Sequence, residues 1–204
     1  CAGASYSADT APTDAGSYTV TVTYPGGQTG SADFTVAPRA ITAFSWDRKE
    51  SLTYNGLEQI QGVTIKYADK ELVEGIDYTL SGNKQTNAGT HTITVTGIGN
   101  VEGTKTVNFT IYEKSPTADD FNIPEIAEYA YTGKKVELPL PTLKEPYTGG
   151  GTITIYYNGV STQPTKIGEY EVTFRMEDGT NFYSTSDHLE YGTLVIKVAD
   201  ISDI

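Results

Sequence analysis

The sequence predicts an all-β protein, a tandem array of small β-sandwich modules with almost no helix. Three observations predict it. A phrase recurs: Thr13-Asp14-Ala15-Gly16-Ser17-Tyr18 returns as Thr86-Asn87-Ala88-Gly89-Thr90-His91, and more loosely as Lys166-Ile167-Gly168-Glu169-Tyr170. A second phrase, Leu52-Thr53-Tyr54-Asn55-Gly56, recurs as Tyr129-Ala130-Tyr131-Thr132-Gly133. Self-similarity at a spacing of roughly 75 residues marks an array of modules rather than one large domain. Secondly, each glycine phrase opens a run that alternates apolar and polar residues with period two, the pattern of a half-buried strand. Thirdly, no stretch of about ten residues holds a helical period. The 21 Gly, 9 Pro and 15 Tyr suit turns and strands instead.

Each element follows from its local pattern. After the first glycine phrase, Tyr18, Val20 and Val22 face one way while Thr19, Thr21 and Thr23 face the other. Gly26-Gly27 turns the chain, and Ala32 to Val36 returns with Phe34 and Val36 in phase. In the second copy Ile93 and Val95 alternate with Thr92, Thr94 and Thr96. Gly97-Ile98-Gly99-Asn100 turns, and Val107, Phe109 and Ile111 close the module. In the third, Tyr170, Val172, Phe174 and Met176 alternate with Glu169, Glu171, Thr173 and Arg175. A longer excursion through Asp178-Gly179 precedes Leu194, Ile196 and Val198. Opening segments are expected at Ile41 to Tyr54 and at Asn122 to Tyr131, and middle strands at Val63 to Tyr67, Tyr78 to Leu80 and Thr152 to Tyr157.

These boundaries divide the chain into a partial module over 1–38 (closing strands alone), a complete module over 39–114 and a divergent one over 120–204. The linker Val36-Ala37-Pro38-Arg39 is short and stiffened by its proline, and Glu113 to Asp120 is longer and more polar. The first module lacks an opening Tyr-x-Gly pair, so it would expose a core face and unpaired edges. It is expected to be a fragment of a longer protein or to borrow strands from elsewhere. Cys1, the single cysteine, forms no internal disulfide. A lipid-bearing start, a cloning remnant and an arbitrary cut are all open for it, and the half-length first module favours the cut.

Net charge is −12 and the pI is about 4.5. Nucleic acid and anionic membranes would both be repelled. No run of about 18 apolar residues occurs, so no membrane insertion is expected. Small modules without disulfides fit a bacterial exterior better than an animal one.

The second module, from Leu52-Thr53-Tyr54-Asn55-Gly56 through Gly75-Ile76-Asp77-Tyr78, Asn87-Ala88-Gly89-Thr90 and Gly97-Ile98-Gly99-Asn100 to Phe109-Thr110-Ile111, resembles the MBG/YDG-type immunoglobulin-like repeats of bacterial surface proteins. The resemblance is good over 41–112, weak over 122–200 and partial over 1–37, with Val101 where that family usually has an aromatic. It implies tandem immunoglobulin-like β-sandwich modules in a large cell-surface or secreted protein, commonly an adhesin or a glycan-degrading assembly. It carries over no catalytic residue. Partners so implied are neighbouring domains of a larger chain and, beyond them, host glycan or mucin. The glycine phrase also resembles a tyrosine corner, in which a tyrosine hydroxyl bonds backbone upstream. Tyr18 and Tyr170 suit that role, and His91 stands in for tyrosine in the second copy.

Chemistry is thinly supplied, and neither an enzyme nor a cofactor is expected. Two histidines (His91, His188), one terminal cysteine and no Gly-x-Ser-x-Gly turn leave nucleophilic catalysis without parts. Glu177-Asp178-Gly179-Thr180-Asn181 clusters hard oxygens, making Asp178 and Asn181 a weak calcium candidate. It lacks the spaced ligands of a dedicated loop, and a plain turn accounts for it better. A self-formed isopeptide bond would need a buried trio such as Lys66, Asn108 and Glu58, yet Lys66 between Ile65 and Tyr67 points to solvent by phase. Outward rings are the remaining resource. Tyr156 shares a phase with Thr152 and Thr154, and Trp46 is the single Trp; both are candidates for stacking on sugar. Two functions follow: a stalk or spacer in adhesion, and alternatively a module that grips glycan or mucin through surface Tyr.

Overall fold

The computed structural model describes residues 5–6, 12–48, 51–67 and 69–198; Cys1 lies outside them. The chain is all-β: its only helical turns among the described residues are three-residue 3-10 turns at Ile41–Ala43 and Ala118–Asp120. All three glycine phrases open long strands, at Gly16–Thr23, Gly89–Gly97 and Gly168–Met176. Alternation of β-branched residues explains them, because successive side chains leave opposite faces of a strand. The expected opening segments are broken. Ile41 to Tyr54 resolves into the 3-10 turn, Ser45–Arg48 and Leu52–Thr53, and Asn122 to Tyr131 holds only Phe121–Asn122 and Tyr129–Ala130.

The chain divides into two compact units. One comprises 1–50, 60–84 and 91–109. Within it, Gly16–Thr23 pairs antiparallel with Thr29–Val36, Gly16 opposite Val36, and with Ser5–Tyr6 on its other edge. Tyr18, Val20 and Val22 are half-buried on one face of this sheet, and Phe34 remains 39% exposed on its neighbour. Ser45–Arg48, Val63–Tyr67 and Lys70–Glu71 form a second antiparallel sheet. Tyr78–Ser81 pairs with Gly89–Gly97, Tyr78 opposite Gly97 and Ser81 opposite Thr94. Ile41, Ile65, Ile93, Val95, Val101 and Phe109 are buried as the core.

The other unit comprises 51–59, 85–90 and 110–204. Its main sheet runs Tyr129–Ala130, Leu189–Lys197, Gly168–Met176, Ile153–Tyr157 in spatial order. The first of these pairs parallel with the second, Tyr129 opposite Ile196, and the rest are antiparallel. The register of the long strand pair shifts between Val172 and Thr173, as at a β-bulge. Phe121, Ile155, Val172, Phe174, Met176 and Leu194 fill its core. Each such side chain contributes about 1.5–3 kcal/mol by leaving water. Leu52–Thr53 runs parallel to the end of Thr104–Tyr112, Thr53 opposite Tyr112.

Candidate functional site

The glycine phrases place two tyrosines alike. Tyr18 Oη donates to the carbonyl of Asp14 at 2.9 Å, and Tyr170 Oη donates to the carbonyl of Lys166 at 2.9 Å, each four residues upstream. His91, at the same place in the second copy, lies against Phe109 with ring centroids 5.4 Å apart.

Both glycan candidates have covered rings. Tyr156 sits opposite Thr173 and is half-buried, with the His188 ring 4.2 Å from its own. His188 is held there by Thr173 Oγ1, 2.9 Å from its Nδ1. Trp46, opposite Ile65, carries the Lys105 ammonium 4.7 Å from its ring centroid. Its indole Nε1 is buried without a hydrogen-bond partner. A sugar stacking on either ring would first have to displace that neighbour. The isopeptide trio fares no better, since Lys66 and Asn108 are both exposed and Asn108 Oδ1 accepts from Thr92 Oγ1 at 2.9 Å.

Asp178 and Asn181 each have partners of their own. Asp178 Oδ1 accepts the Ser184 N–H at 2.6 Å. Asn181 is 2% exposed, and its amide is occupied at both ends. Oδ1 accepts the Ala88 N–H at 2.8 Å, while Nδ2 donates to Asn87 Oδ1 and to the Thr148 carbonyl, each at 3.2 Å. Its own carbonyl accepts the Lys114 N–H at 3.0 Å. Among the described residues no group of three or more His, Cys, Asp or Glu could hold a metal ion.

The same arrangement occurs once more. Asn100 Oδ1 accepts the Ala15 N–H at 2.5 Å, its Nδ2 donates to Asp14 Oδ1 at 2.8 Å, and its carbonyl accepts the Arg39 N–H at 2.9 Å. The amide N–H donates and the Asp14 oxygen accepts, which orients the Asn100 amide. In both cases one asparagine joins three things: a backbone N–H earlier in the chain (Arg39 or Lys114), the acidic or amide side chain of the preceding glycine phrase, and the backbone N–H after it. The residue following the asparagine is buried each time, Val101 at 4% and Phe182 at 0% exposure.

Tyr54 completes the second of these clasps. Its ring is 2% exposed and packs edge-on to Phe182 at 5.5 Å, with Tyr147 tilted at 6.2 Å. Its hydroxyl accepts the Thr148 N–H at 2.9 Å and lies 3.1 Å from the Thr148 carbonyl, to which it donates. Gly56 has φ +80°, and a Cβ there would meet Pro146 Cγ at 2.8 Å and its carbonyl oxygen at 3.0 Å. Lys114 adds an ion pair, its Nζ 2.6 Å from Asp120 Oδ2. Burial pushes the Asp120 carboxyl up, but hydrogen bonds from Lys114 and Thr117, with the Lys114 charge, outweigh it and hold the group below its ordinary range.

One part of the chain is similar to a known family. Residues 140–200 match the family model of the MBG domain. The MBG match covers Ile153–Tyr157, Gly168–Met176 and Leu189–Lys197, the three long strands of one sheet, together with Asn181. This MBG family is repeat-type and non-catalytic. No curated protein matches the chain. Asn100 and the joining role of Asn181 escape a reading of the sequence. The available signal was the pair Gly99-Asn100 and Thr180-Asn181, each closing the turn after a glycine-phrase strand.

Proposed function

We propose that the chain is a non-enzymatic stretch of immunoglobulin-like repeats in a bacterial cell-surface or secreted protein, working as a stalk that spaces other domains. The observation that supports this reading is the recurrence of the asparagine clasp. Asn100 holds Asp14-Ala15 and Asn181 holds Asn87-Ala88 by the same two hydrogen bonds, and each asparagine carbonyl accepts a third from Arg39 or Lys114. A spacer gains from joints that are made the same way at each repeat, because bending at a joint shortens the reach of whatever it presents. Clasps of this kind fix a joint by about 0.5–1.5 kcal/mol per hydrogen bond.

Small-angle scattering tests it on the chain beside a variant with Asn100→Ala and Asn181→Ala. The stalk reading expects a narrow size distribution for the parent and a broader one for the variant. Identical distributions would sink it. Immobilised glycans and mucin provide the second arm. Specific capture that Tyr156→Ala or Trp46→Ala abolishes would replace the stalk with a binding module.

A further inference from the structure

The third repeat carries the same receiving surface as the second, but nothing among the described residues covers it. Tyr131 N–H donates to the Lys197 carbonyl at 2.8 Å, as Tyr54 N–H donates to the Tyr112 carbonyl at 2.8 Å. The turns that follow are equivalent too. Leu57 N–H is bound by Asn55 Oδ1 at 3.0 Å and Lys134 N–H by Thr132 Oγ1 at 3.4 Å, with Gly56 at φ +80° and Gly133 at φ +72°. Yet Tyr54 is 2% exposed and Tyr131 is 44%. At the other receiving element, Ile167 replaces Ala88 and is 51% exposed, and Lys166 replaces Asn87.

We propose that Tyr131, Lys166 and Ile167 form a docking face for a further repeat of the same kind, one that carries a carboxylate where Asn100 and Asn181 stand. It rests on the stalk reading. In both observed clasps the asparagine comes from the repeat that follows in sequence, which names the occupant. The chemistry of the clasp residue follows from Lys166. Asn181 Nδ2 donates to Asn87 Oδ1, but a lysine ammonium has only donors to offer. An aspartate solves both contacts, at the loss of the bond that Asn181 Nδ2 also makes to the Thr148 carbonyl at 3.2 Å. One oxygen accepts the Ile167 N–H, as Asn181 Oδ1 accepts that of Ala88, and the other takes the Lys166 ammonium as a charge-assisted bond. The Tyr131 ring is then covered by the segment equivalent to Tyr147-Thr148 and Phe182. Lys166 thus acts as a selector, admitting an acidic clasp and disfavouring an amide one.

The test joins a second copy of residues 114–198 directly after Val198, in place of residues 199–204, a junction that mirrors Glu113-Lys114. The added copy keeps its asparagine or carries Asn181→Asp. Amide hydrogen exchange at Ile167 is the readout. The aspartate form is expected to slow Ile167 exchange by about tenfold or more over the unextended chain, and the asparagine form by much less. Equal protection by both forms, or none by either while the added copy's core amides are protected, overturns the proposal. Should the added copy fail to fold, the unextended chain decides through Ala88 exchange. Asn87→Lys alone should speed it, and Asn87→Lys with Asn181→Asp should restore it; failure to restore overturns the proposal. Slow Ala88 exchange in the unaltered chain beside fast Ile167 exchange in the extended one sinks this proposal and spares the stalk. Fast Ala88 exchange in the unaltered chain sinks both.

Discussion

Asn100 and Asn181 make equivalent hydrogen bonds in unequal surroundings, and that inequality sets their energetic weight. Asn181 is buried, at 2% exposure, whereas Asn100 is exposed. Truncating a buried partner strands the other donor without water, which costs about 1–3 kcal/mol, while an exposed donor turns to solvent. Asn181→Ala is therefore expected to destabilise by about 1–3 kcal/mol and Asn100→Ala by about 0.5 kcal/mol or less, both read from denaturant unfolding. Gly56→Ala belongs to the same joint. It would strain a positive φ and push a methyl against Pro146, for an expected loss of at least about 1 kcal/mol in the same measurement. The tyrosines of the first and third phrases were legible as corners, since a hydroxyl that reaches four residues upstream makes a local contact. The asparagine's role was not, because its partners lie 85 and 93 residues away in sequence.

At the scale of elements, the long strands follow the apolar alternation closely, and the short opening strands do not. Gly168–Met176 buries Val172, Phe174 and Met176 on one face as the pattern requires. Phe174, wholly buried between Phe121 and Tyr191, should lose about 3–5 kcal/mol as Phe174→Ala. Phe34→Ala, on a strand whose residues are mostly exposed, should lose less than about 1 kcal/mol. Thermal melts of the two variants compare them directly. The first sheet explains the difference: Phe34 stacks on Tyr18 at 5.7 Å, but 39% of it still faces water. Openings such as Ile41–Ala43 broke up because the sequence there offers too short an alternating run to extend a ladder.

For the whole molecule, titration of buried groups sets the pH window of stability. Burial pushes the Tyr78, Tyr157 and Tyr191 hydroxyls above their ordinary range, with Glu74, Glu71 and Asp77 adding at Tyr78. A raised folded value means stability that is whole below about pH 10, the unfolded tyrosine value, and declines as pH rises through the folded values. Asp120 has the opposite sign. Its lowered value gives stability present above about pH 4, the unfolded aspartate value, and lost as pH falls through the folded one. Melting temperature against pH should fall at both ends, and Asp120→Asn should flatten the acid limb alone. The sequence by itself determined the β class and the phases of the long strands, because alternation and turn residues act between neighbours along the chain. Only the tertiary structure decided that two turn asparagines each bind the glycine phrase before them, and that Tyr54 is covered while Tyr131 is 44% exposed among the described residues. Those outcomes depend on which distant surface arrives at a group, and no local pattern encodes that.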